Sequence, residues 1–389
     1  MIKAVPEDFI VEERADLPLR PEGAYRVYTL KKRHWNTVDL VHHLSRSGGL
    51  PSSLFSYGGK KDKHGLTSQF LTIRSAVDMS RKEKDFSLAL QGFMDRPMGP
   101  DLISGNAFTV TIRDIDDFSP LEVNLEQVGK TGFPNFFDDQ RFRSYDPERG
   151  FFAEKILKRH WSGALQVFLT SAGSEDNRAE RERKAALVKG WKDWPLLLNL
   201  AEGPLEKSVF GFLGSHPKDF VQALHRIPEE EVAMRYAAFQ SHLWNELLRR
   251  LIRIKLPACS GISGREGGYL FWPELDAETL AYFSALEIPT AAPKMEFADD
   301  LSRSIFDTIL KERELSRGSF RTKALRRVSF RSYLRKALVF PSGLRLLSSG
   351  ADERHPGKRK STLSFFLPRG SYGTMLIKRL SLKPPRVMG

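Results

Sequence analysis

A single carboxylate, Asp62, sits among three lysines and a histidine in the run Gly58-Gly59-Lys60-Lys61-Asp62-Lys63-His64-Gly65, which leads into Leu66-Thr67-Ser68-Gln69. Neighbouring ammonium groups favour the ionised form of a carboxyl, which suits Asp62 to act as a nucleophile or base. The same lysines attract a phosphate backbone toward it. Taken alone, a Lys-Lys-Asp-Lys turn also reads as a solvated loop, so the residues around it decide. Familiar alternatives are missing. His42-His43 is the only adjacent histidine pair, with side chains about 100° apart on a helix. No His-Glu-x-x-His or paired cysteines accompany it, so no metal site is expected. Gly58-Gly59-Lys60-Lys61 lacks the first glycine of a Walker loop, where Leu54 stands, and has Lys61 in place of the hydroxyl. Gly264-Arg265-Glu266-Gly267-Gly268 does not fit a dinucleotide turn, and Gly-x-Ser-x-Gly does not occur. Cys259, the one cysteine, has no base beside it in sequence and excludes a disulfide framework.

The elements that must hold this run are short strands punctuated by glycine and proline. Phe9–Glu12, Tyr25–Leu30, Gln69–Ile73 and Ala107–Ile112 have strand composition, and Thr37–Leu44 reads as a helix capped at Asn36 or Thr37. Between about 146 and 316 the texture is helical. Tyr236, Phe239, Leu243, Leu247 and Leu251 recur at three- and four-residue steps over Met234–Ile254 and predict a core-facing stripe. Ala277–Leu286, after Asp276, and Leu301–Leu315 read as further helices. Strand character returns at Leu363–Leu367, so the chain ends resemble one another more than the middle. A discontinuous domain carrying an insert follows. The formal charge of +13 is placed unevenly: residues 317–389 carry 18 Lys or Arg against two acids, a net +16, and the rest is net −3. Phe330, Tyr333, Leu334, Phe340, Phe365, Phe366 and Tyr372 are threaded through that segment, which is expected to fold and to present a face to a polyanion. The first residues show no secretory signal, and no stretch is apolar enough to span a bilayer, so a cytoplasmic protein is expected.

Five separated motifs in one order give the Asp62 run its company: Lys3-Ala4-Val5-Pro6-Glu7-Asp8-Phe9, Gly59 to His64 with Thr67 and Gln69, Gly105-Asn106-Ala107-Phe108, Pro134-Asn135-Phe136-Phe137-Asp138-Asp139-Gln140-Arg141-Phe142, and Leu367-Pro368-Arg369-Gly370-Ser371-Tyr372-Gly373-Thr374. Together they resemble the TruD-type tRNA pseudouridine synthases. The resemblance implies isomerisation of uridine to pseudouridine in tRNA, at position 13 in bacterial members, with no cofactor and no metal. It implies Asp62 as the catalytic aspartate and Lys3 as its partner. It makes Phe9 and Tyr372 aromatic walls for an unstacked nucleotide, Asn106 an amide able to pair with uracil, and Phe108 a neighbour on the same strand face. The implied architecture is α+β, a pseudouridine synthase fold with a mixed, mainly antiparallel sheet and flanking helices. Residues 1–145 and 326–389 form a discontinuous catalytic domain, 146–325 an inserted α/β (TRUD) domain, and the protein is expected to be a monomer. A cleft lined by the basic segment, with Asp62 near its floor, is expected. The alternative is a non-catalytic RNA-binding protein or RNA chaperone with the same fold; a glycosidase or nuclease is disfavoured because no second carboxylate or metal cluster partners Asp62.

Departures from the family pattern carry expectations of their own. Gly65 and Gly373 replace the usual Ala and should loosen their turns. Arg143 replaces a common Gly, and Arg379 stands where bacterial relatives often have Glu; both should alter local pairing and RNA fit. About 90 residues separate Arg141 from Met234, longer than in compact bacterial members.

The charge asymmetry yields a first test. tRNA affinity should fall steeply between roughly 50 and 200 mM salt, as expected when phosphate contacts release counterions; a flat dependence in filter-binding titrations would contradict the basic-face reading.

Overall fold

The computed structural model describes residues 2–173, 176–256, 258–322, 325 and 327–382 of the 389-residue chain. The chain divides into two compact units, Met1–Phe133 with Val339–Gly389, and Pro134–Leu338. The first is built on a mixed, mostly antiparallel sheet with nine strands among the described residues. Seven come early: β1 (Phe9–Ala15), β2 (Tyr25–Lys32), β3 (Phe55–Tyr57), β4 (Leu66–Ile73), β5 (Arg81–Lys82), β6 (Phe86–Met94) and β7 (Ile103–Ile115). The strands Ser342–Ala351 and Arg359–Pro368 come from the other end of the chain. Across the sheet the order is Ser342–Ala351, Arg359–Pro368, β7, β1, β4, β2, β6, β5, with β3 also paired to β4. Only β1 and β4 run parallel.

One edge of β4 is shared. β1 pairs with it through Glu12↔Ser68, and β3 pairs further along at Tyr57↔Leu71. The Gly58–Gly65 loop joins β3 to β4 across this interruption. Because opposed residues in a sheet project to one face, two side-chain rows cross beneath the loop. Lys32, Thr67, Val11, Phe108 and Phe365 form the first. Leu30 and Gln69 lie in the second, with Glu13, Asn106 and Leu367 beyond them. The polar members of both rows therefore lie on the same face as the core.

Helices cover that face on either side. α1 (Thr37–Ser47) is capped by Asn36, whose side chain accepts the Asp39 amide at 2.8 Å. Its Leu40, Val41 and Leu44 pack with Tyr28, Leu30, Leu71, Ile73, Phe86 and Leu88. At the other side, the helix Gly373–Leu380 packs on α2 (Ser119–Thr131). Arg379, which was expected to bear on RNA fit, is instead buried here, donating to Asn124 Oδ1 at 2.6 Å and Gln127 Oε1 at 3.1 Å. The two substituted glycines do not loosen turns either. A Cβ on Gly65 would lie 2.5 Å from the Phe9 carbonyl oxygen, and one on Gly373 would lie 2.9 Å from the Phe108 ring. Both glycines permit close approach to the aromatics expected at the site.

The second unit, Pro134–Leu338, is mostly helical, with short strand pairs. Its long helix spans Glu229–Lys255, three acids filling its first turn, and Tyr236, Phe239, Leu243, Leu247 and Leu251 are buried as their spacing predicts. The long stretch after Arg141 folds into helices at Phe152–Leu157, Trp161–Thr170, Arg178–Lys189, Trp194–Leu200, Pro204–Ser215 and Phe220–Leu224. Arg335, from the basic segment, is buried, donating to the Asn135 carbonyl at 2.6 Å and lying over the Phe137 and Trp244 rings. Phe330 and Phe365 are buried, but Tyr333, Leu334 and Phe340 are exposed.

The start of the chain is tied down by a buried ion-pair network in the first unit. Asp8 accepts from Arg113 Nε at 2.9 Å and from the Val5 amide at 3.1 Å, while Arg113 also donates to Asp352 at 2.8 Å. Removing Asp8 leaves the buried Arg113 paired through Nη1 to Asp352 and Glu353, with its Nε left without that acceptor. Asp8→Ala should therefore lower unfolding free energy by about 2 kcal/mol in urea titrations; a loss below about 1 kcal/mol, the level of an exposed pair, would show that this network does not anchor the N-terminal turn.

Candidate active site

The Gly58–Gly65 loop is held to the sheet by its backbone. Thr37 Oγ1, at the start of α1, accepts the Lys61 amide at 2.9 Å and donates to Gln69 Oε1 at 2.8 Å. Gln69 Nε2 returns to the Gly59 carbonyl at 3.1 Å. Lys32, on β2 and fully buried, donates from Nζ to the carbonyls of Trp35 (2.8 Å), Lys61 (3.2 Å) and Asp62 (3.0 Å). Lys61 turns its side chain to Glu13 Oε1 at 2.6 Å and Asn106 Oδ1 at 2.8 Å. Glu13 also receives the Phe70 amide at 3.0 Å, beyond the point where β1 stops pairing with β4.

Asp62 is brought together with Lys3, whose ammonium bonds Oδ2, while Oδ1 accepts the His64 amide at 3.1 Å. Lys3 adopts a left-handed backbone conformation (φ 64°), and its ammonium lies 4.1 Å from the Phe9 ring centroid. Burial alone would raise the Asp62 pKa, but the Lys3 ammonium, its hydrogen bond and the His64 amide outweigh it and hold the carboxyl below its ordinary value. The side chain keeps 14% of its surface exposed, so an ionised carboxylate remains reachable. Asn106 has its amide oxygen occupied by Lys61, so Nδ2 is the donor end of that side chain.

The aromatic candidates divide. Phe9 and Phe108 are buried and meet edge to face at 6.0 Å, and Phe108 stacks on Phe365 at 5.0 Å. The Phe9 ring lies under the Lys3 ammonium, and Phe108 is two residues from Asn106 on β7. Tyr372 is half-buried, at the N-cap of Gly373–Leu380, adjoining the glycine that lies against Phe108. The sequence reading missed Glu13 and Lys32 as parts of the site. The available signal was a charged residue at an inward position of an alternating strand: Val11-Glu12-Glu13 and Leu30-Lys31-Lys32. Among the described residues, no group of three His, Cys, Asp or Glu is arranged to hold a metal ion, and no helix is long and apolar enough to cross a membrane.

A family model described as tRNA pseudouridine synthase D (TruD) matches residues 1–264 and 281–380. A tRNA pseudouridine synthase D of Leptospira interrogans is 29% identical over 98% of this chain and 96% of its own. One of Aquifex aeolicus is 27% identical over 97% of each. A crystal structure assigned to tRNA pseudouridine synthase D (TruD) from Methanosarcina mazei superposes with a TM-score of 0.71 at 25% identity, covering 97% of this chain and 92% of that one.

The Lys3 contact makes a directional prediction. In Lys3→Met the burial effect is no longer opposed by an ammonium, so the Asp62 carboxyl should titrate above its wild-type midpoint in carbon-13 NMR. A midpoint at or below the wild-type one would show that Lys3 does not set the charge state.

Proposed function

The chain belongs to the tRNA pseudouridine synthase D (TruD) family and isomerises uridine to pseudouridine in tRNA, and we propose that Asp62 is the carboxylate that carries the reaction and that the target is position 13. The observation behind the assignment is an accessible aspartate kept ionised by Lys3 and the His64 amide above a polar row of an otherwise apolar sheet face. The reaction breaks the bond from C1′ to N1, turns the uracil, joins C1′ to C5, and exchanges the C5 proton for one on N1. An ionised carboxylate serves either route, attack at C1′ or assistance to glycal formation. The nucleotide must leave its stack, at a cost of a few kcal/mol.

Asn106 Nδ2 is the donor we assign to a uracil carbonyl, since Lys61 occupies the amide oxygen. Tyr372, half-buried beside Gly373, is the residue we assign to cover the base, with Phe9 and Phe108 as the wall behind it. In this reading the discontinuous unit is the catalytic domain, the inserted unit guides the tRNA, and the enzyme works as a cytoplasmic monomer. The competing reading, an RNA binder without catalysis, does not account for a carboxylate held ionised and reachable.

Asp62→Asn should reduce pseudouridine formation roughly 10³-fold or more in nucleoside mass spectrometry while leaving tRNA affinity near wild type. Carbodiimide mapping of tRNA treated with wild-type protein should place the product at position 13. Wild-type protein that leaves every uridine unchanged would sink the assignment.

A further inference from the structure

The group holding Asp62 from below is a buried lysine on another strand. Lys32 Nζ touches the Lys61 carbonyl at 3.2 Å and the Asp62 carbonyl at 3.0 Å. These belong to the two peptide groups flanking the Asp62 Cα, so one ammonium constrains both backbone rotations that aim the carboxylate. Its third acceptor, the Trp35 carbonyl at 2.8 Å, precedes the Asn36 cap of α1 and ties the loop to the helix that also binds the Lys61 amide. A lysine almost never sits fully buried unless something pairs it. Here its acceptors are backbone carbonyls, two of them in the loop itself.

We propose that Lys32 is a positioning residue for the isomerisation, clamping the peptide groups on both sides of Asp62 so that the carboxylate is held at its reacting geometry. This rests on Asp62 being the reacting carboxylate. The clamp requires charge, because a neutral amine has only two N–H groups for the three carbonyls and each donates more weakly than an ammonium's. Burial draws the Lys32 ammonium down to about 8; the Asp62 carboxylate opposes that shift and Lys61 adds to it. The other charged groups near it line the adjoining cavity: Glu7 before β1, Lys31 and Arg33 on either side of it in the chain, and the Lys82–Asp85 turn with its two lysines and two acids.

The linkage has a distinctive sign. A folded-state pKa below the unfolded one means that between about pH 8 and the ordinary lysine range the unfolded chain binds more protons, so this residue's contribution to stability rises with pH. Its contribution to catalysis falls over the same interval. Loss of rate by unfolding would run the other way.

The test compares wild type, Lys32→Met, Lys32→Arg and Asp62→Asn by tritium release from 5-tritiated uridine in tRNA, at saturating tRNA and pH 6 to 9.5. Wild-type kcat should fall as pH rises through about 8, with circular dichroism unchanged. Lys32→Met should lose roughly 10²-fold in kcat, the scale of an ångström-level misplacement, with KM little changed. Lys32→Arg should recover much of the rate and carry its alkaline limb to higher pH. A wild-type kcat flat across the range, or Lys32→Met with wild-type kcat, would overturn the proposal. If Lys32→Met does not fold, the wild-type profile and Lys32→Arg decide. Asp62→Asn separates the two readings: if it stays active, the assignment of Asp62 fails; if it is inactive while the Lys32 variants match wild type, only the clamp fails.

Discussion

A backbone amide in the middle of a buried sheet must find an acceptor. Where β1 parts from β4, the Phe70 amide is met by Glu13 instead of a strand carbonyl. That carboxylate, its side chain fully enclosed, draws in the Lys61 ammonium, which in turn reaches Asn106 on β7. Lys61 is the neighbour of Asp62 in the chain, so satisfying a broken sheet edge and placing the Asp62 loop are one event. Breaking the parallel pairing at Ser68 opens the space, and polar side chains from three strands fill it.

The surrounding charges keep Asp62 ionised. Lys3 meets the carboxylate directly, Lys32 meets the peptide groups beside it, and the Asp8–Arg113–Asp352 network fixes the turn that carries Lys3. Each cation has a different partner chemistry: a carboxylate, carbonyls, or paired carboxylates. The basic C-terminal segment shows the same diversity. Arg335 and Arg379 count toward its net +16, yet both are enclosed and brace loops or helices. Net charge measures what a segment can offer a polyanion only after such internal uses are subtracted.

Much of the fold was legible because local rules and tertiary demands agree. β-Branched and aromatic residues marked β1, β2, β4 and β7, Asn36 or Thr37 marked the start of α1, and the three- and four-residue rhythm after Tyr236 marked the long helix. The helix begins at Glu229, where three acids after Pro228 complement its dipole ahead of the apolar rhythm. Gly65 and Gly373 were misread as loosened turns: a glycine's sequence neighbours do not reveal that another segment's backbone or ring lies within 3 Å of its missing Cβ. The helix Gly373–Leu380 follows strand-like residues, and its Arg379 turns inward because Asn124 and Gln127 on α2 are waiting for it.

By itself the sequence determined the reaction family and the strands that frame the Asp62 loop, and singled out the carboxylate proposed for its centre, because ordered motifs and short-range periodicity are written along the chain. Only the tertiary structure decided which charges serve that carboxylate. Lys32 lies thirty positions from Asp62 and Glu13 forty-eight from Lys61, and each looks like any other strand residue until sheet register puts them on one face. Register depends on pairing between distant segments, and the chemistry depends on register.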